Sequence, residues 1–342
     1  MASVAATARA RTARPFALRR MPWHPGHSLP LLKHDEPVSM RIVSLLPAAT
    51  EIACALGLRE RLVAVSHECN YPPQVQRLPK VTRSLIPAGV ASVEIDAQVR
   101  ERMADGGALY TLDLPLLERL RPELILTQAL CDVCAVAEEE VRQAACSLPG
   151  KPRVVNLEAS RLSDVLASIR LVAQAAGVSE RGEELASALH RRIDAVALRS
   201  AGAAARPRVV VLEWIDPPFS AGHWTPELVE LAGGVEGVGR SGLPSQTTAW
   251  ETIVSWQPEV MLIACCGFDV ERTRQDLPIL TSRPHWHELP CVQRRRVYVV
   301  DGSAYFSRPG PRLVDSLEIL ANALHPDIHP LPLGLPAAER VV

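Results

Sequence analysis

Apolar and polar positions along this chain spell one phrase twice. The string LERLRPELIL at residues 117–126 reads as a helix, a stop at Pro122-Glu123 and an unbroken apolar run from Leu124. The string IVSWQPEVMLI at residues 253–263 repeats it, with Pro258-Glu259 as the stop. Each predicts a helix, a proline-enforced break and a buried strand. A second pair, EIACALG at 51–57 and ELVELAG at 227–233, predicts short helices closed by a glycine suited to the left-handed cap. Two similar α/β halves on one chain predict a cleft between them, and such clefts are where ligands bind.

The rest of the pattern fills in the halves. RIVSLL at 41–46 is a strand apolar on both faces, ended by Pro47, with Thr50-Glu51 opening a helix. Strands follow at 62–65, 124–127 and 154–157, alternating with helices as a parallel sheet requires. From Leu162 the apolar residues Val165, Leu166, Ile169, Val172 and Ala173 keep helical spacing. After Gly177, Leu185, Leu189, Ile193 and Val196 do so again, and no strand interrupts. The expected organisation is an extension at 1–39, an α/β lobe at 40–158, a helical spine at 159–204, a second α/β lobe at 205–325 and a peripheral tail at 326–342.

Composition narrows the function classes. A chain of 342 residues with 47% hydrophobic content can build two cores, and a net charge of -1 exerts no bulk pull on nucleic acid or anionic lipid. Aromatic residues are scarce at 4%, so each placed Trp or Tyr is informative. No apolar run is long enough to cross a bilayer. Residues 1–39 are rich in Ala, Arg and Pro and lack the apolar core of a secretory signal, so the expected compartment is the cytoplasm, with the periplasm as the alternative.

In a parallel sheet, ligands sit beyond the carboxyl ends of the strands. The residues there are Pro47 and Thr50; His67, Glu68, Cys69 and Tyr71; Gln128, Cys131 and Cys134; Trp214, Phe219 and Trp224; Phe268; and Tyr305, Phe306 and Arg308. A flat, largely apolar ligand suits so many aromatic and sulfur side chains. Cys131-x-x-Cys134 is the sharpest single motif: two thiolates so spaced hold zinc or cycle through a disulfide. His67 and Cys69 would complete a four-ligand metal set. Adjacent Cys265 and Cys266 point apart, so at least one of them reads as packing, as do Cys54 and Cys146. Ser66-His67-Glu68 has hydrolase-like residue types, but no Gly-x-Ser-x-Gly elbow accompanies it, and no phosphate-loop motif is present.

The strings SLLPAATE at 44–51, YPP at 71–73 and PELI at 122–125 resemble the N-terminal lobe of the periplasmic binding family for iron-siderophores and vitamin B12. IDPPFSAG at 215–222, LAGG at 231–234 and RPGPR at 308–312 resemble its C-terminal lobe, so the similarity spans about 41–325 in order. The vitamin B12 branch looks nearest. The resemblance implies two Rossmann-like lobes with central parallel sheets, a long helical spine and a corrinoid or siderophore between the lobes. It also implies docking to an ABC importer permease through Glu118 and Glu251, and pocket positions near Tyr71, Phe219, Tyr305 and Arg308. Two departures stand out: Pro244-Ser245-Gln246 replaces an aromatic pocket residue, and Cys69, Cys131 and Cys134 are not part of the family pattern.

Together these readings predict a monomeric binding protein with no catalytic turnover and no obligatory cofactor. Its expected ligand is a cobalamin-like corrinoid. The alternatives are a siderophore or haem on the same fold, or a zinc- or redox-active protein centred on Cys131 and Cys134.

Overall fold

The computed structural model describes residues 40–87, 89–104, 108–128 and 138–341. The extension expected at 1–39 and the Cys131/Cys134 motif lie outside the described residues. In the first lobe the elements are β1 (Ile42–Ser44), α1 (Pro47–Ala55), β2 (Leu62–Val65), β3 (Thr82–Ser84), α2 (Ser92–Ala104), β4 (Tyr110–Leu112), α3 (Leu114–Leu120), β5 (Leu124–Thr127), α4 (Glu138–Ser147) and β6 (Arg153–Asn156). Strands pair in the order β2-β1-β5-β6, all parallel, and β3 pairs antiparallel with β4 as a separate ribbon. Helix α1 begins at Pro47 rather than at Thr50, because proline lacks the amide that the first helical turn leaves unpaired.

Two helices follow without a strand: α5 (Leu162–Ala175) and α6 (Ser179–Ser200), hinged at Gly177. They pack closely. A Cβ added to Gly182 would lie 2.4 Å from the Ala173 Cβ, so only glycine lets the two backbones approach this far. The buried stripes Val165, Ile169, Val172 and Ala173 on α5 and Leu189, Ile193 and Val196 on α6 are those the spacing predicted.

The second lobe comprises β7 (Arg208–Trp214), β8 (Phe219–Ser220), α7 (Thr225–Leu231), β9 (Val235–Glu236), β10 (Gln246–Thr247), α8 (Trp250–Trp256), β11 (Val260–Ile263), α9 (Val270–Thr281), α10 (Pro290–Gln293), β12 (Val297–Val299), α11 (Leu313–Leu324) and β13 (Glu339–Arg340). Its sheet runs β10-β8-β7-β11-β12-β13, with β9 also on β7. The centre is parallel; β8 and β13 run against it, and β10, antiparallel to β8, runs with the centre again. The second sheet thus has the expected parallel centre and is mixed toward its edges. The turn between β7 and β8 is too short to return a strand in the same direction, so it makes a hairpin.

The doubled phrase has a physical cause. In each copy the helix ends on a residue in left-handed conformation, Arg121 (φ 46°) and Gln257 (φ 53°), directly before Pro-Glu. Glu123 then accepts from the Arg41 backbone N–H at 2.7 Å, and Glu259 from the Arg208 N–H at 3.1 Å. Arg41 Nε donates to the Arg121 carbonyl at 2.7 Å, and Arg208 Nε to the Gln257 carbonyl at 3.0 Å. Each lobe thus uses one Arg and one Glu to bind the entry of its first strand to the end of its helix. The glycine echo holds as well: Gly57 (φ 75°) and Gly233 (φ 84°) both take the left-handed conformation past a helix end.

One apolar cluster runs through both lobes and the spine, from Ile42 and Leu126 through Ile169 and Ile193 to Val211, Leu262 and Leu320. Smaller clusters back each sheet on its other face, around Ile125 in lobe one and Met261 in lobe two. The tail is not peripheral, contrary to expectation. Strand β13 joins the sheet, and His329 is only 2% exposed, its Nε2 paired with Ser200 Oγ of the spine at 2.9 Å.

Burial, helped by the charges of Arg199 and His325, pushes the His329 pKa from 6.5 down to about 4. The unfolded chain therefore takes up this proton first as the pH falls. The stabilisation tied to neutral His329 is complete above pH 6.5 and declines as the pH drops toward about 4. Urea unfolding across that range should show the decline, and His329→Asn should flatten it.

Candidate ligand site between the lobes

The lobes meet where α1 of lobe one faces the start of α11 in lobe two. Glu51, buried in α1, accepts from Arg308 Nη1 at 3.1 Å and from Arg312 Nε and Nη2 at 2.9 and 2.6 Å. Arg308 also donates to Asn70 Oδ1 at 2.8 Å and to Ser303 Oγ at 3.4 Å. The Arg312 guanidinium lies 3.8 Å from the Tyr71 ring centroid and 5.3 Å from that of Tyr305. One carboxylate thereby orients a cation between a phenol from each lobe. Burial pushes both tyrosine pKa values up, so both phenols stay neutral. Asp315 and Glu318 of α11 hold Arg192 of the spine at 2.5 and 2.7 Å, and this anchors the same helix from behind.

A second aromatic group lies in lobe two. The Trp214 and Phe268 rings are 4.8 Å apart, and the Arg272 guanidinium lies 4.3 Å from the Phe268 centroid. Phe219 in β8 pairs in register with Trp214. The Pro244-Ser245-Gln246 stretch is polar in role: Ser245 Oγ donates to Glu213, and Gln246 starts β10. Glu213 also accepts from Gly222 N–H and Thr225 Oγ1, yet burial raises its pKa. Arg240, Gln246, Thr247 and Thr252 line a polar pocket on this lobe, away from the tyrosines.

The sequence-predicted residues divide into two groups. Tyr71, Tyr305 and Arg308 come together at the lobe junction. Glu68 is solvent-accessible but surrounded by protein, and desolvation raises its pKa against the pull of Arg308. Pro47 is half-buried as the first residue of α1, and Gln128 is buried beyond β5. Thr50, Cys69, Trp224 and Phe306, by contrast, are buried packing residues. Thr50 donates to Ser44, and Trp224 Nε1 donates to the Phe306 carbonyl. His67 is turned to Thr82, with Nδ1 2.7 Å from Oγ1, and lies beside the Tyr110 ring. Burial, with some help from Lys80, lowers its pKa, so the ring is neutral. Sequence reasoning missed Asn70, and quoted Glu51 and Arg312 only as parts of motifs. The second arginine of RPGPR, four residues after the first, was the available signal.

Of the expected metal set, Cys131 and Cys134 lie outside the described residues; among the described residues no group of three His, Cys, Asp or Glu side chains is placed to hold an ion. The Cys69 thiol lies 3.1 Å from Thr50 Oγ1, and burial pushes its pKa up to about 11. Ser66 is likewise buried, and its hydroxyl accepts from Thr82 and from the Glu68 N–H.

Comparison with known proteins follows the same outline. The family model for periplasmic binding proteins matches residues 42–304. The chain belongs to this family. It is a substrate-binding protein and not an enzyme. A vitamin B12-binding protein of Vibrio cholerae is 26% identical over 285 residues, covering 81% of this chain and 86% of that one. An uncharacterized ABC transporter substrate-binding lipoprotein of Bacillus subtilis is 23% identical over 298 residues, covering 84% and 80%. The apo periplasmic haem-binding protein of Roseiflexus shares the fold with a TM-score of 0.65 at 23% identity, over 84% of this chain and 98% of that one. The cytoplasmic expectation gains no support, since the family is periplasmic and the Bacillus relative is a lipoprotein.

Removing the Glu51 carboxylate leaves two largely buried guanidiniums short of a partner. Glu51→Ala should cost about 3–5 kcal/mol of unfolding free energy, measured by urea denaturation.

Proposed function

We propose that this protein captures a cobalamin-like corrinoid between its lobes and hands it to an ABC importer from outside the inner membrane. The chain divides for this purpose into lobes at 40–158 and 205–325, with 159–204 as the spine. The observation that carries the reading is the pair of tyrosines, one from each lobe, held close to Arg312 at the junction. Flat aromatic faces there suit a macrocycle. Both arginines are already engaged by Glu51, which favours a ligand edged with neutral amides over one edged with carboxylates. The vitamin B12-binding relatives, matched over most of the chain, support the same cargo. Haem is the second reading, supported by solved neighbours that include a haem-bound protein 25% identical to this chain with a TM-score of 0.62.

Glu118 on α3 and Glu251 in the first turn of α8 are exposed on equivalent helices of the two lobes, and this supports a docking role for both. The working form is a monomer, and no cofactor beyond the cargo is invoked.

Titration with hydroxocobalamin, cyanocobalamin, haem and a ferric siderophore tests the cargo. The corrinoids should bind, and Tyr71→Ala should weaken them about tenfold, as expected for one lost aromatic contact. Saturable binding of haem alone would move the assignment to the second reading. Glu118→Arg with Glu251→Arg should leave corrinoid affinity unchanged and abolish stimulation of the importer's ATPase.

A further inference from the structure

Helix α2 is built unlike the other long helices. Of its thirteen residues, the one described side chain that is buried is Ser92, a polar residue, while Val93 beside it is 53% exposed. Helix α5, of similar length, buries eight residues. Among the described side chains of α2, the apolar Ile95 and Val99 are only half-buried.

Arg102 donates to the Leu85 carbonyl of lobe one at 3.3 Å, and further polar contacts tie α2 to the other lobe. Ser92 Oγ donates to Asp276 Oδ2 of α9. Arg272, one turn earlier on α9, donates to Ser92 Oγ at 3.0 Å and pairs with Asp276 at 3.1 Å. Farther along α2, Arg100 reaches Thr247 Oγ1 of β10 at 3.3 Å. Arg272 is also the cation stacked on Phe268, which packs against Trp214. The clasp and the aromatic group of lobe two thus share a residue.

The two connections between the lobes differ in kind. Glu51 and its arginines are buried and charge-paired, and the apolar core runs continuously beside them. The α2 clasp is one hydroxyl, one ion pair and one exposed arginine. An element with few buried apolar contacts and polar attachments opens at low free energy.

We propose that α2 is a gate over the ligand cleft. The Ser92–Asp276–Arg272 clasp and the Arg100–Thr247 contact hold it shut, while the Glu51 junction stays closed. Ligand enters and leaves by release of α2, without separation of the lobes. The inference rests on the corrinoid reading for its cargo but not for its mechanics.

Ser92→Ala tests it, because the substitution removes one hydroxyl and leaves Arg272 to satisfy Asp276. Hydrogen exchange on the ligand-free protein should show the α2 amides exchanging about tenfold faster than in the wild type, with β1 and β7 unchanged. Stopped-flow mixing with hydroxocobalamin should show association and dissociation accelerated together, with little change in Kd. Unchanged α2 exchange would overturn the gate. Faster exchange with unaltered association would overturn it too, because α2 would then lie off the entry path. If hydroxocobalamin does not bind the wild type, the corrinoid reading falls and the exchange result alone decides whether α2 opens.

Discussion

The contact between Glu51 and the two arginines of lobe two is the constraint on which the site depends. Glu51 is 3% exposed, and its two oxygens take three hydrogen bonds from Arg308 and Arg312. A buried carboxylate is tolerated because its charge is matched and its lone pairs are used. The same bonds fix where Arg312 lies, and so hold Tyr71 and Tyr305 against it. Asn70 and Ser303 then complete the coordination of Arg308. A single acidic residue on the first helix thus couples lobe geometry to the placement of the two tyrosines.

That coupling works because the surroundings are stiff. The apolar cluster crosses from lobe to spine to lobe without interruption, and Arg192 ties α11 to the spine through Asp315 and Glu318. Tight cores shift between discrete arrangements rather than deforming smoothly. The junction is thus buried and charge-paired, whereas α2 is tied to the second lobe by polar contacts.

The repeated Arg–Glu clamp shows how one local solution serves two lobes. In each, the arginine at the entry of the first strand reaches the left-handed end of the helix, and the glutamate after proline caps that strand's amide. The lobes diverge beyond that shared framework. Lobe one has a sheet of four parallel strands, whereas lobe two adds the β7–β8–β10 meander and antiparallel β13, and carries the aromatic group of Trp214 and Phe268.

The sequence by itself determined the parts of the molecule set by local chemistry. Periodicity located the spine helices, the apolar runs located the central strands, and Pro-Glu and glycine marked where helices had to end. Short motifs in order identified the family, and with it the lobes. Only the tertiary structure decided what each side chain beyond a strand end does. Cys69, Thr50, Trp224 and Phe306 follow strands as faithfully as Tyr71 and Tyr305 do, yet they turn into the core. The pattern along a chain records polarity and spacing, not the direction a loop takes. Glu51 and Arg312 stand 261 residues apart, and no local rule pairs them. The tail likewise carries no periodic pattern, and its place in the sheet is set by the free edge of β12 rather than by its own residues.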